Sequence, residues 1–175
     1  MKRKNIFLLI TVFIILAIFV YWLSFQKAQD DTSLTESSVP IGSQLKTFQS
    51  ETLDFTVQLP ENYVVDEDTT FADLKLGENI ISVIRNYDPI GNGSLGEYLD
   101  YADSKNEIKS TSGKKELVIN GYQAASRNEV RGGINKKAYY IYVSDVDKIV
   151  YVFSTKSESL YSDLDQIAQS FRYTP

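Results

Sequence analysis

The stretch "KAYYIYVS" (Lys137–Ser144), followed after an acidic turn by "KIVYVFST" (Lys148–Thr155), decides how this chain folds. Successive side chains in a strand point to opposite faces. Ala138, Tyr140 and Tyr142 therefore share one face, and Tyr139, Ile141 and Val143 the other. In the next strand Ile149, Tyr151 and Phe153 oppose Val150 and Val152. A strand that is apolar on both faces needs cover on both. Two amphipathic segments can supply it. In one, Leu95, Tyr98, Leu99 and Ala102 recur at i, i+3, i+4, i+7. The other starts near Ser157 and places Leu160, Leu164, Ile167, Ala168 and Phe171 on one face. The expected architecture is α+β. It is an α/β/α sandwich with a central antiparallel sheet of about six strands and a helix on each face.

The remaining elements extend outward from this pair. Leu53, Phe55, Val57 and Leu59 alternate with polar residues up to Pro60, the pattern of a half-buried strand. Extended stretches are expected over Thr70 to Leu76 and Ile80 to Tyr87, with a turn at Gly77-Glu78-Asn79. A polar loop is expected from Lys105 to Lys115 and a strand from Glu116 to Ile119. Asn120-Gly121 is a strong two-residue hairpin signal, because both positions tolerate positive φ. Tyr122 to Val130 then runs back to a second turn at Gly132-Gly133. Ser94 and Glu97 have capping-box spacing, as do Thr155 and Glu158.

The first residues differ in kind. Residues 1–5 form a basic tip, and Ile6 to Phe25 run almost without a polar side chain. Twenty helical residues span the ~30 Å hydrocarbon core of a bilayer. Ile6 to Phe25 are thus expected to form one transmembrane helix, with the bilayer as its partner. The stretch is longer than a signal-peptide core and lacks a good cleavage site, so an uncleaved anchor is expected. Lys2, Arg3 and Lys4 favour a cytoplasmic N-terminus, which puts the chain beyond the anchor outside the cytoplasm. Residues 26–46 read as a polar tether and 47–175 as one extracytoplasmic domain.

Composition excludes several chemistries. The 175 residues contain no His and no Cys. Ser-His-Asp triads, Cys-His pairs and thiolate metal sites are therefore impossible within this chain. All 23 Asp and Glu lie beyond residue 25, with 15 of the 18 Lys and Arg, a net charge of −8. Such a surface repels phosphate backbones, so nucleic acid is not an expected partner. "GNGSLG" (Gly91–Gly96) spells the glycine pattern of a dinucleotide loop, but no second βα unit comes after it. It reads as a strand-to-helix junction, and neither a nucleotide nor any other cofactor is expected.

The order of the pieces carries a resemblance. "FTVQLPENY", "SLGEYL", the "INGY" hairpin, "YYIYV", "VYVFST" and a closing "SFRY" occur in turn. Over about Phe48 to Tyr173 the chain resembles the PsbP-like (Mog1/PsbP) domains. That resemblance implies the α/β/α sandwich. It also implies a role in binding and assembly, since the family's best-known members are extrinsic subunits of photosystem II and others bind a small GTPase. Joined to an anchor, such a domain points to a bacterial envelope protein. No functional residue of the family finds a specific match here.

The favoured expectation is a non-catalytic binding or assembly module, not an enzyme. Its partner would be an extracytoplasmic protein or envelope component. The alternatives are a carboxylate- or metal-dependent hydrolase and a cell-wall or lipid sensor. Asp145 and Asp147 flank a hairpin tip and are weak metal candidates, since calcium needs six to eight oxygens. Glu97, Asp100 and Asp103 lie opposite the apolar stripe of their helix and read as its solvated face. Tyr63, Tyr87 and Tyr122, near strand ends, are candidate surface contacts. The basic turn with Arg131, Lys136 and Lys137 could meet an anionic partner.

Overall fold

A computed structural model describes residues 44–88, 94–105, 108–143 and 148–175. Ile6 to Phe25, Gly91 to Gly93 and the Asp145/Asp147 turn lie outside the described residues. Among the described residues are ten strands, two α-helices and one 3-10 turn. In chain order they are β1 (Leu45–Gln49), β2 (Phe55–Pro60), β3 (Val64–Glu67), β4 (Phe71–Leu76) and β5 (Asn79–Tyr87). Helix α1 (Leu95–Lys105) is next, then β6 (Ile108–Ile119), β7 (Tyr122–Arg131), β8 (Ile134–Val143) and β9 (Ile149–Thr155). The 3-10 turn Glu158–Leu160 leads into α2 (Tyr161–Gln169), and β10 (Arg172–Tyr173) closes the domain.

The main sheet has seven strands in the order β3-β4-β5-β9-β8-β7-β6, every neighbour antiparallel. The two doubly apolar strands, β8 and β9, sit inside it and separate two cores. Tyr139, Ile141, Val143, Ile149, Tyr151 and Phe153 face the core made with Leu160, Leu164, Ile167 and Phe171. Ala138, Tyr140, Tyr142 and Val150 face the core made with Leu95, Tyr98, Leu99 and Ala102. The alternation expected from the sequence thus holds residue by residue, with one helix on each face. Each buried aliphatic or aromatic side chain contributes ~1.5–3 kcal/mol relative to exposure.

The sheet count departs from expectation. β2 does not join the central sheet. It forms a second, three-stranded sheet in the order β1-β2-β10. Leu53, Phe55, Val57 and Leu59 belong to the same core as α2, so the small sheet and that helix cover one face together. Phe171 anchors this layer, with its ring centroid 4.9 Å from that of Tyr151, 5.8 Å from Phe153 and 6.1 Å from Phe55.

The expected loop from Lys105 to Lys115 is for the most part strand. β6 runs for 12 residues along β7, with register shifts between Ile108 and Ser110 and between Ser112 and Lys115. Its Lys, Ser and Thr content suits an edge strand, where little is buried. The Asn120-Gly121 hairpin forms as expected, with φ of 49° and 93° and Ile119 opposite Tyr122. The Thr155–Glu158 capping box does not form. Thr155 ends β9, donates to the Ile80 carbonyl at 2.7 Å and accepts from the Ser157 amide at 3.1 Å.

Candidate functional site

Helix α1 organises the surface on its side of the sheet. Ser94 caps it. The Glu97 amide donates to Ser94 Oγ at 3.2 Å, and that hydroxyl donates to Glu97 Oε2 at 3.0 Å. A Cβ added to Gly96 would have nothing within 4 Å, so this glycine is not held by close packing. The dinucleotide pattern thus lacks the close helix–strand approach that its third glycine serves.

At 11 residues, α1 is too short to roof seven strands. It packs on β7, β8 and β9 and leaves a groove on either flank. One groove, of about 540 Å³, lies between Leu95 and Leu99 of the helix and Val118, Gln123 and Ala125 of β6 and β7. The other, of about 350 Å³, is lined by Ile84, Asn86, Tyr87, Tyr98, Tyr101 and Arg131. Two sequence-predicted residues, Tyr87 and Arg131, thus meet in the second groove. Tyr87 is 59% exposed, and Asn86 Nδ2 donates to the Tyr98 hydroxyl at 3.3 Å. Aromatic rings, an amide and a guanidinium can pack against and hydrogen-bond a partner.

Beneath α1 lies a charged network that sequence reasoning missed. Arg127 is 3% exposed and Glu129 6%. The Arg127 guanidinium donates to both Asp103 oxygens, at 2.9 and 2.6 Å, and through Nε to Glu129 Oε1 at 2.7 Å. It also stacks 4.8 Å from the Tyr140 ring centroid, and the Tyr140 hydroxyl donates to Glu129. Burial by itself would lower the Arg127 pKa, but the Asp103, Tyr140 and Glu129 interactions outweigh it and the net direction is up. Burial first, and then the Glu129 charge, raise the Tyr140 phenol above its ordinary value. Asp103 is therefore more than part of a solvated face, because it fastens α1 to β7. The only sequence signal for this network was the alternation of Arg127 and Glu129 on one face of a strand.

The other candidates are dispersed. Tyr63 is only 1% exposed and its hydroxyl donates to Asp163 at 2.7 Å, which corrects its expected role as a surface contact. It packs inside the α2-side core. Tyr122 is half-buried, with its ring 5.9 Å from Phe171. Lys137 pairs with Asp165 at 2.6 Å and is held to α2, whereas Lys136 lines a shallow depression with Glu158 and Tyr161. Among the described residues no three acidic side chains converge as a cation cage.

No family model matches the chain, and no curated protein matches it. Solved structures do. The solution structure of cyanobacterial PsbP (CyanoP) from Synechocystis sp. PCC 6803 superposes with a TM-score of 0.52 at 12% identity. That match covers 78% of this chain and 95% of CyanoP. The Ran-binding protein Mog1p of Saccharomyces cerevisiae superposes with a TM-score of 0.50 at 11% identity, covering 75% of this chain and 96% of Mog1p. The described domain thus has the fold of CyanoP and Mog1p.

Proposed function

We propose that this protein is a non-catalytic binding or assembly module, held outside the cytoplasm by a single-pass anchor at Ile6 to Phe25. Its partner is an extracytoplasmic protein. The observation that carries this reading is the α1 face, where two open grooves flank a helix fixed to the sheet by a buried ion network. Such a surface presents contact area to a partner. The fold supports the reading, because in Mog1p it belongs to a Ran-binding protein. The long apolar stretch and its basic flank support the anchor and its orientation.

The test is photo-crosslinking in intact cells from a reactive residue at Tyr87, followed by purification. A discrete crosslinked protein, diminished by Tyr87→Ala in a chain crosslinked from a neighbouring position, is the expected result. No species above background in repeated trials overturns the reading. External protease should remove the domain from spheroplasts while leaving a membrane-bound stub.

A further inference from the structure

We propose that Asn120 is a latent modification site: it deamidates when residues 169–171 undock, and the closed C-terminal layer keeps it intact. This goes beyond the binding-module reading and does not depend on it. Asn120-Gly121 is one of two Asn-Gly pairs in the chain, the other being Asn92-Gly93. Asparagine before glycine is chemically labile, because glycine has no Cβ to shield its backbone nitrogen from the preceding side chain. The Gly121 nitrogen attacks Cγ of Asn120. The N–Cγ bond forms, the amide proton leaves to water, and the Cγ–Nδ2 bond breaks with release of ammonia. Water then adds to either carbonyl of the succinimide ring and opens it to aspartate or isoaspartate. Water is the only co-reactant.

Two locks oppose ring closure in the folded domain. The first is the turn. Asn120 and Gly121 have φ of 49° and 93°, and Ile119 lies opposite Tyr122. In a left-handed two-residue turn the following nitrogen points away from the asparagine side chain, so ring closure requires the turn to open. The second lock is the side-chain amide itself. Its Nδ2 donates to the Phe171 carbonyl at 2.7 Å and to the Gln169 carbonyl at 3.4 Å. Both acceptors belong to the C-terminal layer. The Phe171 ring packs on Tyr151, Phe153 and Tyr122, and the Gln58 amide donates to Ser170 Oγ at 2.8 Å. Asn120 is exposed, so water and base reach it once the locks release.

The product works against the layer that guarded it. An aspartate at position 120 sets a carboxylate against two carbonyls that can only accept, so the bond to Phe171 is lost and like partial charges meet. Isoaspartate adds one atom to the backbone of a two-residue turn, which disturbs the pairing of Ile119 with Tyr122. Each opening of the layer can thus leave a permanent covalent record in the hairpin beside it.

The test incubates the full chain in detergent micelles at mildly alkaline pH, with and without denaturing urea. Mass spectrometry of proteolytic peptides, with isoaspartate labelling, follows the conversion. In urea Asn120 and Asn92 should convert at similar rates. In the folded protein Asn120 should convert about tenfold more slowly than in urea, or slower still. Phe171→Leu, checked as folded by circular dichroism, should speed Asn120 conversion at least about threefold by loosening the layer. Deletion of residues 173–175 removes the Tyr173 and Thr174 contacts, leaves Phe171 in place and should act in the same direction. Asn120→Asp, standing for the product, should quicken exchange of the Thr174 amide. Equal Asn120 rates in folded and urea-treated protein overturn the proposal, as does a rate unchanged in both altered chains. Thr174 exchange unaffected by Asn120→Asp also overturns it. No partner enters the measurement, so its failure leaves the binding-module reading standing, and failed capture from Tyr87 leaves this proposal standing.

Discussion

Arg127 offers the sharpest test of how α1 is held. Arg127→Met removes a guanidinium that touches Asp103, Glu129 and Tyr140. The consequences differ by burial. The Asp103 side chain is 34% exposed and can hydrate, whereas the Glu129 side chain is 6% exposed and cannot. Stranding a buried charge costs about 3–5 kcal/mol. For a domain of this size that is a fall in Tm of about 10–20 °C. Arg127→Met/Glu129→Leu leaves no stranded charge. What remains is the Tyr140 hydroxyl without its acceptor, costing about 1–3 kcal/mol. The double variant should therefore be more stable than the single one, and a double-mutant cycle should show coupling of about 2 kcal/mol. Urea denaturation followed by circular dichroism measures all of this. A single-variant loss below about 1 kcal/mol, or coupling within about 0.5 kcal/mol of zero, refutes the reasoning.

Three further outcomes are expected. Ser94→Ala should cost about 1 kcal/mol in thermal unfolding by removing the α1 cap, and should leave partner capture from Tyr87 intact. Asn120 sits at φ 49° and donates to the Phe171 carbonyl at 2.7 Å. Asn120→Ala should thus lose about 2 kcal/mol in urea titrations and Asn120→Gly less, since glycine keeps the turn and loses only the bond. Burial opposes the charge on Glu67, but hydrogen bonds from Ser50 and Thr52 outweigh it and hold its pKa below the usual value. Its stabilising effect is present above the ordinary carboxylate range and lost as pH falls through the lowered folded value. Glu67→Gln should flatten the acid limb of a stability–pH curve, read as Tm between pH 7 and pH 3.

Elements whose evidence is local were legible in the sequence. β8 and β9 announce themselves because each residue is apolar whichever way it points. The Asn120-Gly121 turn is legible because few residue pairs tolerate its dihedrals. β2 is legible as a strand, but its alternation is the same in either sheet. Its membership is set by β1, which pairs with it from Leu45 to Gln49, and by β10, whose pairing places Tyr173 opposite Phe55. β1, β3 and β10 are short and partly exposed, and the polar half of β6 reads as loop, because an edge buries too little to need an apolar pattern. The α1 surface was legible in part. Tyr87 and Arg131 stand out by type and position, but only the three-dimensional path brings them to one groove. Arg127 and Glu129 did not, since charge in a sequence reads as solvent exposure until a partner is seen. Tyr63 misled for the opposite reason, since the Asp163 that accepts its hydroxyl lies a hundred positions away.

The placement of Phe171 at the centre of the small-sheet layer also constrains the order of assembly. Its ring packs on Phe55, β10 pairs with β2, and the Thr174 amide donates to the Asp54 carbonyl at 2.9 Å. These contacts join stretches more than a hundred residues apart. A chain growing from its amino terminus can form the β6–β7–β8 meander while synthesis continues. It cannot close the α2-side core until residues 171–174 have emerged. High contact order of this kind slows folding to the millisecond-to-second range. If the domain crosses a membrane unfolded, its completion waits for the far side. In that case the nascent chain would keep its aromatic core open until translocation ends.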